Sequence, residues 1–267
     1  VKRPVRVLVP TGFGLNCEEE TARAFRMVGA EVDLVHLTDL FARLHGRKLT
    51  DYQVLCFIGG FSYGDHVAGG LVLATRIRAH LMVDLQAFLG NGGRVLGICN
   101  GFQTLVRLGL LPGPEEGAAD FVPRAALNNN DRLGYRDSWV TLATDPAAKS
   151  PWVNGVGAMD LPTRHGEGKL ILESDALLDR LEKSGQVAFR YVDPDGEATE
   201  QWPWNPNGSA RGVAGLTDRT GNILGLMPHP DAVLYPWHHP DWPRKKEQLS
   251  KEEPAGLRLF RAGVTGV

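Results

Sequence analysis

The stretch Arg94-Val95-Leu96-Gly97-Ile98-Cys99-Asn100-Gly101-Phe102-Gln103 decides the fold, because an apolar run gives way within one residue to a helical pattern. Arg94 to Ile98 reads as a short buried strand, while Phe102, Leu105, Val106 and Leu108 fall on one helical face. Cys99 stands at the junction, and so at a helix N-terminus, where unpaired backbone N–H groups and the positive end of the helix dipole favour an anion. Gly97 and Gly101 leave room for a sharp turn. An inert core thiol would need neither glycine, nor the polar Asn100 beside it. A nucleophile needs both an open approach and a free N–H next to it.

Upstream of this turn the chain alternates strand-like and helix-like segments. Val5 to Val9 reads as a strand, Glu18 to Val28 as a helix closed by Gly29, and Glu31 to His36 as a half-exposed strand. Val54 to Ile58 is an apolar run suited to the middle of a sheet, and Leu71 to Leu89 is a long helix stopped by Asn91-Gly92-Gly93. This rhythm predicts an α/β fold: a doubly wound, mostly parallel sheet flanked by helices. Ligands in such sheets bind beyond the carboxyl ends of the strands. Gly59-Gly60-Phe61-Ser62-Tyr63-Gly64-Asp65 and the Cys99 turn both fall there, and are expected to face each other across one cleft.

After Leu111 the rhythm breaks at Pro112-Gly113-Pro114, which predicts a strand-rich insertion over about 112–170. Strands are expected at Ser138 to Leu142, Lys169 to Leu172, Val187 to Val192 and Ile223 to Met227, and a helix at Asp175 to Lys183. The Trp- and Pro-rich tracts 202–208 and 236–240 read as ordered loops. A C-terminal extension is expected over about 235–267, as a surface covering rather than a clamp on a partner. The 267 residues, 43% hydrophobic and 22% charged, suit one globular domain with a sizeable core.

Composition also excludes classes of function. A net charge of −2 gives no attraction for nucleic acid or anionic lipid, and Arg244-Lys245-Lys246 is followed at once by Glu247. Three cysteines at wide spacing, Cys17, Cys56 and Cys99, fit neither a disulfide framework nor a zinc motif. No run has the length of a membrane span, and Val1-Lys2-Arg3-Pro4 leads straight into a strand without a signal core, so the expected compartment is the cytoplasm. Gly12-Phe13-Gly14-Leu15-Asn16-Cys17 lacks the third glycine of a dinucleotide loop, and Gly166-Glu167-Gly168-Lys169 lacks P-loop spacing. His165, Glu167, His238 and His239 show no metalloprotease spacing, so no metal is expected.

A cysteine nucleophile calls for a histidine to move its proton and a carboxylate to orient that histidine. Pro228-His229-Pro230-Asp231 supplies both. In extended backbone side chains two apart share a side, which brings His229 and Asp231 together after the strand ending at Met227. An oxyanion hole needs two backbone N–H groups, and Asn100 offers one and Gly60 or Phe61 the other.

Gly97-Ile98-Cys99-Asn100-Gly101-Phe102-Gln103 with Pro228-His229-Pro230-Asp231 resembles the class I glutamine amidotransferases. Gly59 to Asp65, His165-Gly166-Glu167-Gly168, Arg190-Tyr191-Val192-Asp193 and Asn205-Pro206-Asn207-Gly208-Ser209 narrow the resemblance to the glutaminase subunits of phosphoribosylformylglycinamidine synthase, over nearly the whole chain to about Tyr235. The resemblance implies a flavodoxin-like sheet and a glutaminase whose Cys99 attacks the side-chain carbonyl of L-glutamine, with His229 shuttling the proton and Asp231 in the carboxylate position. It further implies that Gln103 faces the glutamine, that Gly59, His165, Gly166 and Glu167 help line its pocket, and that no cofactor is held by this chain. ATP and magnesium would belong to a synthetase partner that turns formylglycinamide ribonucleotide into its amidine, joined through a small bridging subunit. The family pattern usually has glutamate where this chain has Asp231, a carboxylate shorter by one methylene. Two other readings stay open: another cysteine hydrolase or a glutaminase of a different pathway on the same sheet, and a catalytically silent subunit.

Overall fold

A computed structural model describes residues 3–115 and 120–267. Val1 and Lys2, ahead of the first expected strand, and residues 116–119 of the expected insertion lie outside the described residues. Eleven strands are described: β1 (Arg6–Thr11), β2 (Glu31–His36), β3 (Val54–Phe57), β4 (Arg94–Ile98), β5 (Ala125–Asn129), β6 (Arg136–Thr144), β7 (Met159–His165), β8 (Glu167–Leu172), β9 (Val187–Val192), β10 (Val213–Thr217) and β11 (Ile223–Leu226). The helices are α1 (Glu18–Met27), α2 (Leu37–Phe41), α3 (Leu71–Gly90), α4 (Asn100–Arg107), α5 (Asp175–Ser184), α6 (Trp242–Leu249) and α7 (Ala255–Val264).

Nine strands form one sheet in the order β2-β1-β3-β4-β11-β10-β9-β6-β7. The first five run parallel, with β3 in register against β4 from Val54↔Arg94 and β11 against β4 from Ile223↔Val95. Strands β3, β4 and β11 are buried almost throughout, which is why they read as unbroken apolar runs rather than as alternation. The chain then turns antiparallel through β10, β9, β6 and β7. The segment after α4 adds a two-stranded ribbon, β5 with β8, and contributes β6 and β7 to the main sheet. Buried side chains from Val7 to Ala262 form one contiguous core.

Local signals set the helix ends. Three glutamates in the first turn of α1 and Arg26 in its last turn complement the helix dipole. Ser174 caps α5 by accepting from Leu177 N, and Gly185 closes it in the left-handed conformation.

Sequence patterning missed α2, β5, β7, β10, α6 and α7, for identifiable reasons in three of them. Strand β7 carries Pro162, which lowers strand propensity but is tolerated because β7 is an edge. Strand β10 is short and contains Ala214 and Gly215. Helix α7 contains Gly256 and Gly263, poor helix formers that packing demands: a Cβ on Gly256 would lie 1.9 Å from the Pro230 carbonyl oxygen, and one on Gly263 1.9 Å from the Trp152 ring. This corrects the expected surface covering over the end of the chain. Leu257, Leu259 and Phe260 are buried, and Phe260 meets Phe25 of α1 edge to face at 4.8 Å. No helix among the described residues is long and apolar enough to cross a membrane.

Candidate active site

Strand β4 ends at Ile98, and Cys99 turns the chain into α4 with φ 52° and ψ −105°. That conformation lies outside the basins open to residues with a side chain, and costs about 1–3 kcal/mol unless the surroundings hold it. They do: Cys99 N donates to Leu226 O of β11 at 2.9 Å, and Cys99 O accepts from Gln103 N at 3.0 Å. Gly101 lets α4 sit directly on the sheet, since a Cβ there would lie 1.9 Å from the Phe57 carbonyl oxygen. The thiol points out of the sheet toward β7, with Sγ donating to Arg164 O at 3.5 Å.

His229 and Asp231 follow β11, the parallel neighbour of β4, so topology delivers them to the same sheet end as Cys99. His229 N donates to Pro162 O of β7 at 2.8 Å, which pins the turn. The pair meets as its spacing predicts, Nδ1 to Oδ1 at 3.2 Å, although residues 230–232 form a 3-10 turn rather than extended chain. The contact is oblique, and neither ring nitrogen nor either carboxylate oxygen makes a well-aligned hydrogen bond. Burial opposes a charge on the His229 ring. The Asp231 carboxylate, helped by the neighbouring thiols of Cys17 and Cys99, outweighs it and holds His229 well above the usual histidine range.

Two other thiols lie near. Burial pushes Cys17 up to about 11 and raises Cys56 well above the ordinary thiol value. Both are therefore kept protonated, and although Cys17 opens α1 as Cys99 opens α4, it does so with an ordinary φ of −107° rather than on a strained strand-to-helix turn.

Of the two N–H groups expected for an oxyanion, Asn100 N–H is the first amide of α4 and has no preceding helical turn to bond. Gly60 has φ 133°, and a Cβ there would lie 2.8 Å from Asn16 N, Gly14 O and Leu15 Cα, so only glycine fits this turn. Phe61 requires a correction, because its N–H donates to Gly14 O at 2.9 Å and is not free.

The expected pocket residues divide into a wall and its support. Gln103 donates Nε2 to Glu167 O at 2.6 Å and accepts from Asn100 Nδ2 at 3.0 Å, leaving one N–H and one lone pair for a ligand. Glu167 accepts from Gly69 N at 2.9 Å. Asp65, unflagged in the sequence, accepts from Asn100 Nδ2 at 2.8 Å. Burial and then the nearby charge of Glu167 raise the Asp65 carboxyl, a repulsion that a bound cation would relieve. Gly59 backs the His229 imidazole, since a Cβ would lie 2.7 Å from His229 Cε1. His165 and Gly166 lie behind the wall, where His165 Nδ1 meets Asn130 Oδ1 at 3.1 Å and Gly166 O accepts from Asn130 N at 3.1 Å. Asn205, Asn207 and Ser209 knot the support together, with Ser209 Oγ accepting from Leu170 N and Asn207 donating to Tyr191 Oη. His165, Glu167, His238 and His239 each have separate partners and do not converge.

Cys17, Asp65, Asn130 and the β7 carbonyls went unread. Asp65 and Cys17 had a signal, each lying in a glycine-containing segment already singled out.

Comparison with known proteins gives a consistent picture. A model of the CobB/CobQ-like glutamine amidotransferase domain matches residues 4–265. The phosphoribosylformylglycinamidine synthase subunit PurQ of Methanococcus maripaludis is 39% identical, covering 97% of this chain and 97% of its own length. The PurQ subunit of Dehalococcoides mccartyi is 37% identical, over 97% and 96%. Among solved structures, PurLQS from Thermotoga maritima matches with TM-score 0.70 and 25% identity, over 98% of both chains.

Proposed function

The chain belongs to the glutamine amidotransferase family, among the PurQ subunits of phosphoribosylformylglycinamidine synthase, and from that membership we infer that it releases ammonia from glutamine for purine biosynthesis through Cys99, His229 and Asp231. One observation carries the assignment of residues: Cys99, held at φ 52° on a strand-to-helix turn, shares a sheet end with a buried His229–Asp231 pair on the adjacent parallel strand.

In this reading Cys99 Sγ attacks the side-chain carbonyl carbon of glutamine while His229 holds the thiol proton. The carbonyl oxygen becomes an oxyanion aimed at Gly60 N–H and Asn100 N–H. Collapse of the tetrahedral adduct breaks the C–N bond, and the imidazolium favoured by Asp231 hands its proton to the departing nitrogen, which leaves as ammonia. Water, activated by the now neutral imidazole, hydrolyses the thioester to glutamate and restores the thiol. Asp65 and Glu167 hold the substrate's α-ammonium, and Gln103 fixes its side of the pocket. None of these steps requires a cofactor on this chain.

The PurLQS neighbour supports partner subunits for this chain, which we take to be a synthetase and a small bridging subunit. Wild type and Cys99→Ala are compared in the reconstituted complex, supplied with either glutamine or ammonium. Cys99→Ala abolishes amidation with glutamine and leaves it intact with ammonium. Glutamine-dependent amidation by the variant would overturn the assignment.

A further inference from the structure

Cys17 has no part in that chemistry, yet its thiol lies against the catalytic imidazole. It immediately precedes α1, and a Cβ placed on Gly59 would touch Cys17 Sγ at 3.1 Å and His229 Cε1 at 2.7 Å, so the two side chains share one wall. One donor atom from each of Cys17, His229 and Asp231 lies within 4.8 Å of the other two, and all three residues are buried. Among the described residues this is the one cluster of its kind. Its polar atoms are also poorly satisfied. Neither His229 nitrogen nor either Asp231 oxygen has an aligned hydrogen bond, and the Cys17 thiol has a 3.6 Å contact to Asn16 Oδ1 beside its interaction with the His229 ring. Buried polar atoms without partners are costly, and an ion is one way to satisfy several at once.

We propose that Cys17, His229 and Asp231 form an inhibitory site for a thiophilic divalent cation of the zinc class. The donor set is one sulfur, one imidazole nitrogen and one carboxylate, each a donor type that zinc accepts, and three in number, as in zinc sites whose fourth position is open to water. It is too poor in oxygen for magnesium or calcium. Around a tetrahedral ion with sulfur about 2.3 Å away and nitrogen or oxygen about 2.0 Å away, donors stand about 3.5 Å apart. His229 Nδ1 and Asp231 Oδ1 already stand 3.2 Å apart, so the Cys17 thiol makes the principal adjustment.

Charge favours the same outcome. A thiolate, a carboxylate and a neutral imidazole around a dication sum to zero, the net charge that burial penalises least. Binding displaces two protons to solvent, one from the Cys17 thiol and one from the His229 imidazolium. Asp231 borders a groove of about 1020 Å³ lined also by Glu19, Glu20, Arg164 and His238, and its side chain, 1% exposed, separates the site from that groove.

Inhibition follows from the ring's two nitrogens. A neutral imidazole ligated through Nδ1 carries its single proton on Nε2 and cannot accept one from Cys99. The ion would therefore occupy the place of the proton shared by His229 and Asp231 and stop the reaction at its first step.

The metal-binding half stands apart from the proposed reaction, because it is read without turnover. The full chain, stripped with chelator, is titrated with zinc in competition with a chromophoric chelator, and separately with cobalt(II) to reveal thiolate-to-cobalt absorption. The wild type and Cys99→Ala both take one equivalent and show the thiolate band. Cys17→Ala and the isosteric Cys17→Ser lose the band and bind at least tenfold more weakly. In the assembled complex, zinc blocks glutamine-dependent but not ammonium-dependent amidation, chelator restores it, and Cys17→Ser stays active at zinc levels that silence the wild type. Absence of stoichiometric binding, or a band lost with Cys99 and kept without Cys17, overturns the proposal. So does zinc held through Cys17 with undiminished glutamine hydrolysis.

Discussion

Replacing Gly101 by alanine tests whether the Cys99 turn depends on contact between α4 and β3. The added methyl would lie 1.9 Å from the Phe57 carbonyl oxygen and 2.5 Å from its carbon, atoms of a central strand rather than the tip of a flexible side chain. Restoring a contact of about 3.2 Å requires α4 to lift by about 1.3 Å. Helix propensity alone favours alanine by about 1 kcal/mol. Overpacking a core costs about 1–3 kcal/mol, and the backbone clash puts this site at the upper end, so the expected net loss is about 1–2 kcal/mol. Activity suffers more than stability, because α4 carries Asn100 and Gln103 and its first turn sets the direction of Cys99. A displacement of about 1 Å at reacting groups can cost about a hundredfold in rate. Urea denaturation would report the first effect, and glutamine-dependent against ammonium-dependent amidation in the complex the second. A variant with wild-type midpoint and wild-type glutamine turnover would refute the close-contact argument.

Asp65→Asn should raise KM for glutamine about ten- to a hundredfold, the worth of one hydrogen bond to a charged group, with kcat changed less; an unchanged KM would remove Asp65 from ammonium recognition. His165 is held down to about 4, first by burial and then by the charge of His229, against about 6.5 in an unfolded chain. The unfolded chain therefore binds more protons in that window, and stability present above pH 6.5 is lost as pH falls toward 4, by about 3 kcal/mol at most. His229, shifted the other way, loses its contribution on the alkaline side instead. His165→Gln should flatten the acid limb of a stability-versus-pH curve, and parallel limbs for variant and wild type would contradict this. Truncating Phe260 or Phe25 to alanine should cost about 3–5 kcal/mol each, with about 0.5–1.5 kcal/mol of coupling in a double-mutant cycle; losses below about 1 kcal/mol would mean that α7 is a loose covering after all.

Patterning found the central strands because parallel strands covered on both faces must be apolar where they are covered, and β3, β11 and β4 after Arg94 are. It failed where packing overrode propensity. The glycines that make α7 look unlike a helix are the ones that let it press on Pro230 and Trp152, so the property that hides the element locally is the property that docks it. Phe61 was misread for a similar reason. Its N–H is committed to Gly14, a residue 47 positions earlier whose approach no local pattern announces.

The amino-acid order alone determined the strand-to-helix turn at Cys99 and the histidine–carboxylate pair, since each is written within a few consecutive residues: an apolar strand flowing into Cys99 between glycines, and His229 two residues from Asp231. Tertiary structure decided everything that encloses them. Strand β7, last in the sheet order, brings the Pro162 carbonyl to His229 N and the Arg164 carbonyl to Cys99 Sγ. The loop before α1 lays Cys17 beside the imidazole, and α7 braces the turn that carries it. Backbone periodicity records only which face a side chain takes within its own element. Which distant element will cover that face depends on how the sheet and its connections pack, and that energy is shared among residues tens to hundreds of positions apart.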